Sequence, residues 1–219
     1  MKSSEDLKRC VRRICELLEC EYGWKKHPAK TDPIDTLVLT ILSQTTNFKN
    51  CKAAYEGLIA EYKTWQDVLE SPEDDLAKVI SIGGLGRIKA RRIKNALSRI
   101  KEKEGEVDLR FLAEMSTEDA MEFLLNMDGV GQKTAACVLC FSFDKPCFPV
   151  DTHIYRICKR LGLGGNSREE IASLIEETIA GDKLCAFHLN LIEHGRRICT
   201  ARKPKCNDCV LKGCCYCYC

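Results

Sequence analysis

Helix-start signals recur along this chain and constrain it more than any other feature. Ser71-Pro72-Glu73-Asp74 offers an N-capping hydroxyl, a first-turn proline and acids where the positive end of a helix dipole lies. Ser116-Thr117-Glu118-Asp119 repeats the signature, and Ser167-Arg168-Glu169-Glu170 repeats it as a capping box. Apolar residues then fall at helical spacing: Ala120, Phe123, Leu124 and Met127, and later Ile154, Ile157, Cys158 and Leu161. No stretch alternates apolar and polar residues for long, and no hairpin dipeptide separates β-branched runs. The pattern predicts an all-α chain of about ten short helices joined by tight turns.

With 219 residues, 45% of them hydrophobic and 30% charged, the chain can bury a core, which excludes global disorder. Its length suits one large domain or two small ones, and composition alone draws no boundary. No internal repeat or low-complexity segment is visible, so a solenoid is not expected. Apolar runs such as Leu37 to Leu39 fall far short of the ~20 residues a membrane span needs. The polar start, Met1 to Asp6, has no apolar region behind it, which argues against a secretory signal. The expectation is a soluble intracellular protein, of cytoplasm or nucleoid, with no membrane partner.

Cysteine usage is unusual. Sixteen cysteines without a secretory signal point away from a disulfide framework, toward metal, cluster or buried-thiol roles. Seven crowd the final 21 residues: Cys199, Cys206, Cys209, Cys214, Cys215, Cys217 and Cys219. The other nine are dispersed, and those on apolar faces, such as Cys10, Cys137 and Cys158, read as small buried hydrophobes.

The net charge of +2 identifies no partner, but its distribution is uneven. Residues 87 to 103 carry Arg87, Lys89, Arg91, Arg92, Lys94, Arg99, Lys101 and Lys103 against Glu102 alone. Residues 196 to 212 carry six basic residues against Asp208. Two basic stretches suit a polyanion bound on one face, and solvated helix faces are the plainer explanation of either run alone.

Residues 121 to 143 read as an amphipathic helix, the turn Gly129-Val130-Gly131, and a second, apolar helix. Two glycines let the backbone turn sharply and leave N–H groups at a helix start, where an anion is favoured. That is the physics of a helix-hairpin-helix gripping a DNA phosphate without reading sequence. An ordinary helix–turn–helix joint fits the same residues. A Walker A loop is excluded because Gln132 separates glycine from lysine, and the dinucleotide fingerprint lacks its third glycine. Lys133 falls in the first turn of the second helix. The dipole and apolar neighbours both disfavour its charged form, and a neutral amine is what attack on a sugar carbon requires. Taken alone, it reads better as a surface lysine that contacts phosphate. Eighteen residues on, Phe148-Pro149-Val150-Asp151-Thr152-His153-Ile154 is another helix start, in which Asp151 or Thr152 suits the N-cap and His153 a packed position.

Gly129-Val130-Gly131-Gln132-Lys133-Thr134-Ala135, followed by Val150-Asp151-Thr152-His153, resembles the core of the endonuclease III family of helix-hairpin-helix DNA glycosylases. The tail resembles it too, since Cys199-x6-Cys206-x2-Cys209-x5-Cys215 matches the spacing of that family's [4Fe–4S] ligands. Leu42-Ser43-Gln44-Thr45-Thr46, and Gly84-Leu85 followed by Lys89-Ala90, are further echoes, so the likeness runs from about Asp32 to Cys215. Zinc is the alternative for any four-cysteine set, but of these four only Cys206 and Cys209 form the usual CxxC pair.

The resemblance implies two helical domains flanking a DNA-binding cleft: a six-helix domain over 29–135 with the hairpin at its end, and a cluster domain from 1–28 plus 136–219. It implies Lys133 as the nucleophile on C1′ and Asp151 as the carboxylate that stabilises the cationic sugar, the two facing each other across the cleft. Gly129 and Gly131 would present amides to phosphate, and His153 would lie with the DNA-binding residues. Gln44 would fill the gap left by the extruded base, and Leu85 would wedge into the opposite strand. The ligands would be Cys199, Cys206, Cys209 and Cys215, although Cys214 adjoins the last and Cys217 and Cys219 follow. Asp128 stands where the family usually has proline, and Asn47 where aspartate is common.

The implied activity is excision of oxidised pyrimidines followed by strand nicking, by a monomer acting on double-stranded DNA with damaged bases or abasic sites. A buried base must first flip out, at a cost of ~ a few kcal/mol. Attack by Lys133 then gives a Schiff base that supports β-elimination of the 3′ phosphate. Family relatives with tyrosine at the lysine position excise without nicking. The competing expectations are a thymine- or adenine-specific mismatch glycosylase, a non-catalytic DNA-binding module, and an electron-transfer protein built on the cluster.

Overall fold

The computed structural model describes residues 3–25, 31–163 and 167–217. Eleven α-helices and no strand are found among them, as the helix-start signals predict. The chain divides into two compact units, Thr31–Phe143 and the pairing of Met1–Lys30 with Asp144–Cys219. The boundary expected at residue 28 lies outside the described residues. No helix among them is long and apolar enough to cross a membrane.

The Thr31–Phe143 unit holds α2 (Pro33–Leu42), α3 (Phe48–Glu61), α4 (Trp65–Glu70), α5 (Glu73–Val79), α6 (Gly86–Glu104), α7 (Thr117–Leu125) and α8 (Gln132–Phe143). Local chemistry sets most of the starts. Asp32 caps α2, with Pro33 at its first position. Thr64 and Asp67 form a reciprocal capping box on α4. Ser116 accepts from the Asp119 N–H at 3.0 Å, as its signature predicts. Ser71 departs from expectation. It closes α4 as C-cap, its hydroxyl donating to the Val68 carbonyl at 2.8 Å, and α5 starts at Glu73 without a side-chain cap. With α4 ending one residue earlier, that hydroxyl satisfies an orphan carbonyl rather than an orphan N–H.

Residues Thr134 to Cys140 of α8 are all buried, so this helix is the apolar centre of its unit, packed against α2 and α7. Its first residue, Gln132, is exposed and Lys133 half-buried, which puts the hairpin on a rigid element with an open end.

The second unit holds α1 (Ser4–Tyr22), α9 (Thr152–Leu161), α10 (Arg168–Glu176) and α11 (Gly181–Arg197), followed by two short 3-10 turns. Ile154, Ile157, Cys158 and Leu161, the stripe read from the sequence, face a core with Val11, Leu18, Phe187 and Leu191. Ser167 caps α10 by accepting from the Glu170 N–H at 3.1 Å.

Candidate functional site

The Gly129 turn joins α7 to α8. The Val130 N–H donates back to the Met127 carbonyl at 3.1 Å, and Gly129 takes φ +76°, a conformation a side chain would strain. There is no room for one either, because an added Cβ would stand 2.3 Å from Cδ of Arg92. Gly131 is exposed, with nothing within 4 Å of a Cβ position, and its carbonyl accepts from the N–H groups of Thr134 and Ala135. The backbone at the start of α8 is therefore open, and the first N–H groups of a helix have no partner within it. Asp128 is exposed beside this turn.

Lys133 is the second residue of α8 and is half-buried. It and Lys89 lie within electrostatic reach of the buried Cys51 thiol, which burial pushes up and the two lysines draw back down. Gln44 follows the end of α2 and is tied to the hairpin. Its Nε2 donates to the Gly129 carbonyl at 2.9 Å, while Oε1 accepts from Nη1 of Arg92 at 2.9 Å. Leu85 precedes α6 at φ 53°, and Thr45 beside Gln44 has the same φ. Bulky residues rarely adopt left-handed backbone, and they persist there only when surroundings over-determine it. Leu85 is 49% exposed, flanked by Ile82 at 55% and Ile88 at 49%. An open groove of about 680 Å³ is lined by Thr45 to Asn47, Asn50 and Ser81 to Gly84.

Sequence reasoning missed what holds these segments. Lys89 is 1% exposed and donates to the carbonyls of Leu42 at 2.7 Å and Gly83 at 2.8 Å. It thereby fastens the chain leading to Gln44 and the chain leading to Leu85, at the cost of a buried ammonium whose pKa desolvation lowers. Arg92, one turn along α6, is the second such residue. Three more residues of the run face neighbouring elements, Arg87 and Arg91 in exposed ion pairs and Lys94 half-buried. Arg87 faces Asp74 and Arg91 faces Glu73, each at 3.6 Å, and Lys94 donates to the carbonyls of Leu69 and Ser71. Five basic residues of the run thus serve α2, α4, α5 and the loops, so it is not a single phosphate-facing stripe. Successive helical positions point around the axis, and neighbouring elements decide which stay outside.

The other expected site residues belong to the second unit. Asp151 is half-buried and is the N-cap of α9, its Oδ1 accepting from the Ile154 N–H at 2.8 Å. His153 is half-buried, with Nδ1 at 3.1 Å from Nη2 of Arg156, and Gly195 passes so close that a Cβ there would stand 2.9 Å from its own. Arg156 also donates to the carbonyls of Gly195 and Cys199.

The four expected ligands gather around α9 and α11. Arg160 donates to Sγ of Cys199 at 3.2 Å, and the Cys215 thiol donates to the Arg160 carbonyl at 3.4 Å. Sγ of Cys209 lies 3.5 Å from Nε2 of His194, whose Nδ1 is 2.9 Å from the Tyr22 hydroxyl. Burial holds the His194 ring down to about 4, so it is neutral. The Cys209 thiol is pushed up by burial first and then by the proximity of Cys199, Cys215 and Cys206, which identifies these three as its neighbours. Among the described residues no group of three or more His, Cys, Asp or Glu is disposed to hold a single metal ion. A cube takes one thiolate per iron and so needs its donors spread more widely than one zinc ion does. Cys209 with Cys199, Cys206 and Cys215 in electrostatic reach, on a basic segment, is a donor set whose chemistry fits such a cluster. Cys214 is half-buried and Cys217 exposed; Cys219 lies outside the described residues.

Fold and site define an all-α helix-hairpin-helix protein with a cysteine-rich C-terminal loop. A family model described as HhH-GPD superfamily base excision DNA repair protein matches residues 38–180. Endonuclease III of Thermotoga maritima is 35% identical over 187 residues, covering 85% of this chain and 84% of that one. A thymine/uracil-DNA glycosylase of Methanothermobacter thermautotrophicus is 30% identical over 192 residues, 84% of this chain and 81% of its own. In fold, the chain is similar to a trapped endonuclease III–DNA covalent intermediate, with TM-score 0.79 and 24% identity over 100% of this chain and 98% of that one. The chain belongs to the HhH-GPD superfamily of base excision DNA repair proteins and, within it, to the endonuclease III family.

Proposed function

We propose that this protein is an intracellular DNA glycosylase with AP lyase activity, removing oxidised pyrimidines from duplex DNA. One observation carries the reading: an amine, Lys133, stands half-buried on the first turn of a helix whose N-terminus is open to phosphate. Family membership supports it, as does the name endonuclease III borne by the Thermotoga relative. In this reading residues 29–135 grip the duplex, while 1–28 with 136–219 carry Asp151 and the cysteine loop. Gly129 and Gly131 present backbone to phosphate, Gln44 fills the gap a flipped nucleotide vacates, and Leu85 wedges into the opposite strand, offsetting part of the unstacking cost. His153 lies with the DNA-binding residues.

The Lys133 amine attacks C1′ as the base departs, and the Asp151 carboxylate stabilises the positive charge that builds on the sugar. The departing base takes up the proton that nitrogen loses, the C1′–O4′ bond breaks with O4′ protonated by water, and an iminium joins Lys133 to C1′. Removal of a C2′ proton then expels the 3′ phosphate, and water releases the nicked product. Cys199, Cys206, Cys209 and Cys215 would hold a [4Fe–4S] cluster, which when bound fastens the loop bearing Arg202, Lys203 and Lys205. Iron by elemental analysis, with absorption near the blue end of the visible range, separates this cofactor from zinc.

Borohydride should trap a covalent adduct between the protein and thymine-glycol duplex, and Lys133→Gln should abolish both adduct and nicking. An undiminished adduct in that variant ends the assignment. A mismatch glycosylase is the second reading, favoured by the relative named for thymine and uracil. Faster processing of G·T or uracil duplexes than of thymine glycol would select it.

A further inference from the structure

Gln44 and the hairpin are far apart in sequence, yet one side chain joins them. Arg92 lies across the open face of Gly129, its Cγ, Cδ and Nε filling the space a Cβ would take. Its Nη1 donates to Oε1 of Gln44, whose Nε2 donates in turn to the Gly129 carbonyl, each bond 2.9 Å long. A rotatable amide is thereby bound at both ends. The guanidinium can only donate and the carbonyl can only accept, so the partners also fix which end of the amide faces which way. Lys89, three residues earlier on α6, holds the chain just ahead of Gln44 through the Leu42 carbonyl.

We propose that Arg92 is a positioning residue for base extrusion: it holds the Gln44 amide against the phosphate-gripping hairpin, so that both meet DNA as one pre-set unit. The inference rests on reading Gln44 as the side chain that fills the vacated gap. A flexible glutamine would have to be ordered at the moment the stack opens. One already ordered on a rigid turn leaves that cost out of the extrusion step. Gly129 is required twice over, once for its backbone conformation and once because Arg92 must pass beneath it.

The test compares Arg92→Met, which keeps an unbranched stem across Gly129 but loses the guanidinium, with Arg92→Lys, Gln44→Ala and the Arg92→Met/Gln44→Ala pair. Single-turnover base release from thymine-glycol duplex and 2-aminopurine fluorescence beside the lesion report extrusion; anisotropy on undamaged duplex reports phosphate grip; thermal melts report folding. Arg92→Met should slow base release by about 10-fold, as misplacement of a positioned group does, with affinity for undamaged duplex nearly kept. Gln44→Ala should cost about as much, and the pair no more than either single change, because the two residues act as one unit. Arg92→Lys should fail to rescue, since the lysine ammonium ends one bond short of the position Nη1 holds against Gln44 Oε1. If Arg92 were instead a phosphate contact, Lys would restore activity, the salt dependence of binding would weaken, and the two losses would add. That outcome, or normal base release by a folded Arg92→Met protein while Gln44→Ala is slow, overturns the proposal and leaves the role of Gln44 standing. Full activity in Gln44→Ala removes the reading on which it rests.

Discussion

Residues that the sequence marked for chemistry also hold the structure together. Asp151 is the clearest case, because its carboxylate is the N-cap of α9 as well as the group proposed to stabilise the cationic sugar. The two roles separate on substitution. Asparagine caps as well as aspartate does, so Asp151→Asn should melt close to the parent while base release falls about 100-fold or more. Asp151→Ala should lose activity and also about 1 kcal/mol of stability. An active asparagine variant would remove the carboxylate from the mechanism. Lys89 behaves oppositely, being structural although it was read as part of a basic run and as an echo of a motif. Lys89→Met removes the donor to two buried carbonyls, at about 1–3 kcal/mol each, and relieves the desolvation of the ammonium. A net loss of about 1–3 kcal/mol should appear in the urea midpoint. No loss would mean that the carbonyls find water instead.

Among the elements, the hairpin was the most legible from sequence and its neighbours the least. Two glycines, an apolar helix and a lysine are local signals, and they place α7, the turn and α8 where the structure has them. Asp128 is the discordant part, an exposed acid beside a turn proposed to take phosphate. Asp128→Asn should tighten binding of undamaged duplex by about 2- to 3-fold at low salt, with the gain shrinking as ionic strength rises. Equal affinities at low salt would place the phosphate elsewhere. The α4–α5 joint shows how an element boundary escapes sequence reasoning. Ser71 carries the right hydroxyl for an N-cap, but two helix ends compete for it and the carbonyl of Val68 wins.

At the scale of the whole molecule, buried thiols make stability depend on pH. Cys158 is fully buried on α9 and its thiol is pushed up to about 12, with Cys15 up to about 11. In the unfolded chain these groups ionise near 9, so above that pH the unfolded state alone sheds protons. Stability should therefore be flat to about pH 8 and fall as pH rises from 9 toward 12. Cys158→Ala should flatten part of that slope in urea titrations at pH 8 and 10, and an unchanged slope would assign it to other groups. By itself the sequence determined the all-α class, the helix-forming stripes, the hairpin and the spacing of the tail cysteines. Each is written within a few residues as a cap, a period or a pair of glycines. Only the tertiary structure decided that Lys89, Arg92 and Lys94, read as part of a basic face, turn inward to hold loops and helix ends. A helix presents its side chains all around its axis, and which of them meet a carbonyl rather than solvent depends on partners that no local pattern encodes.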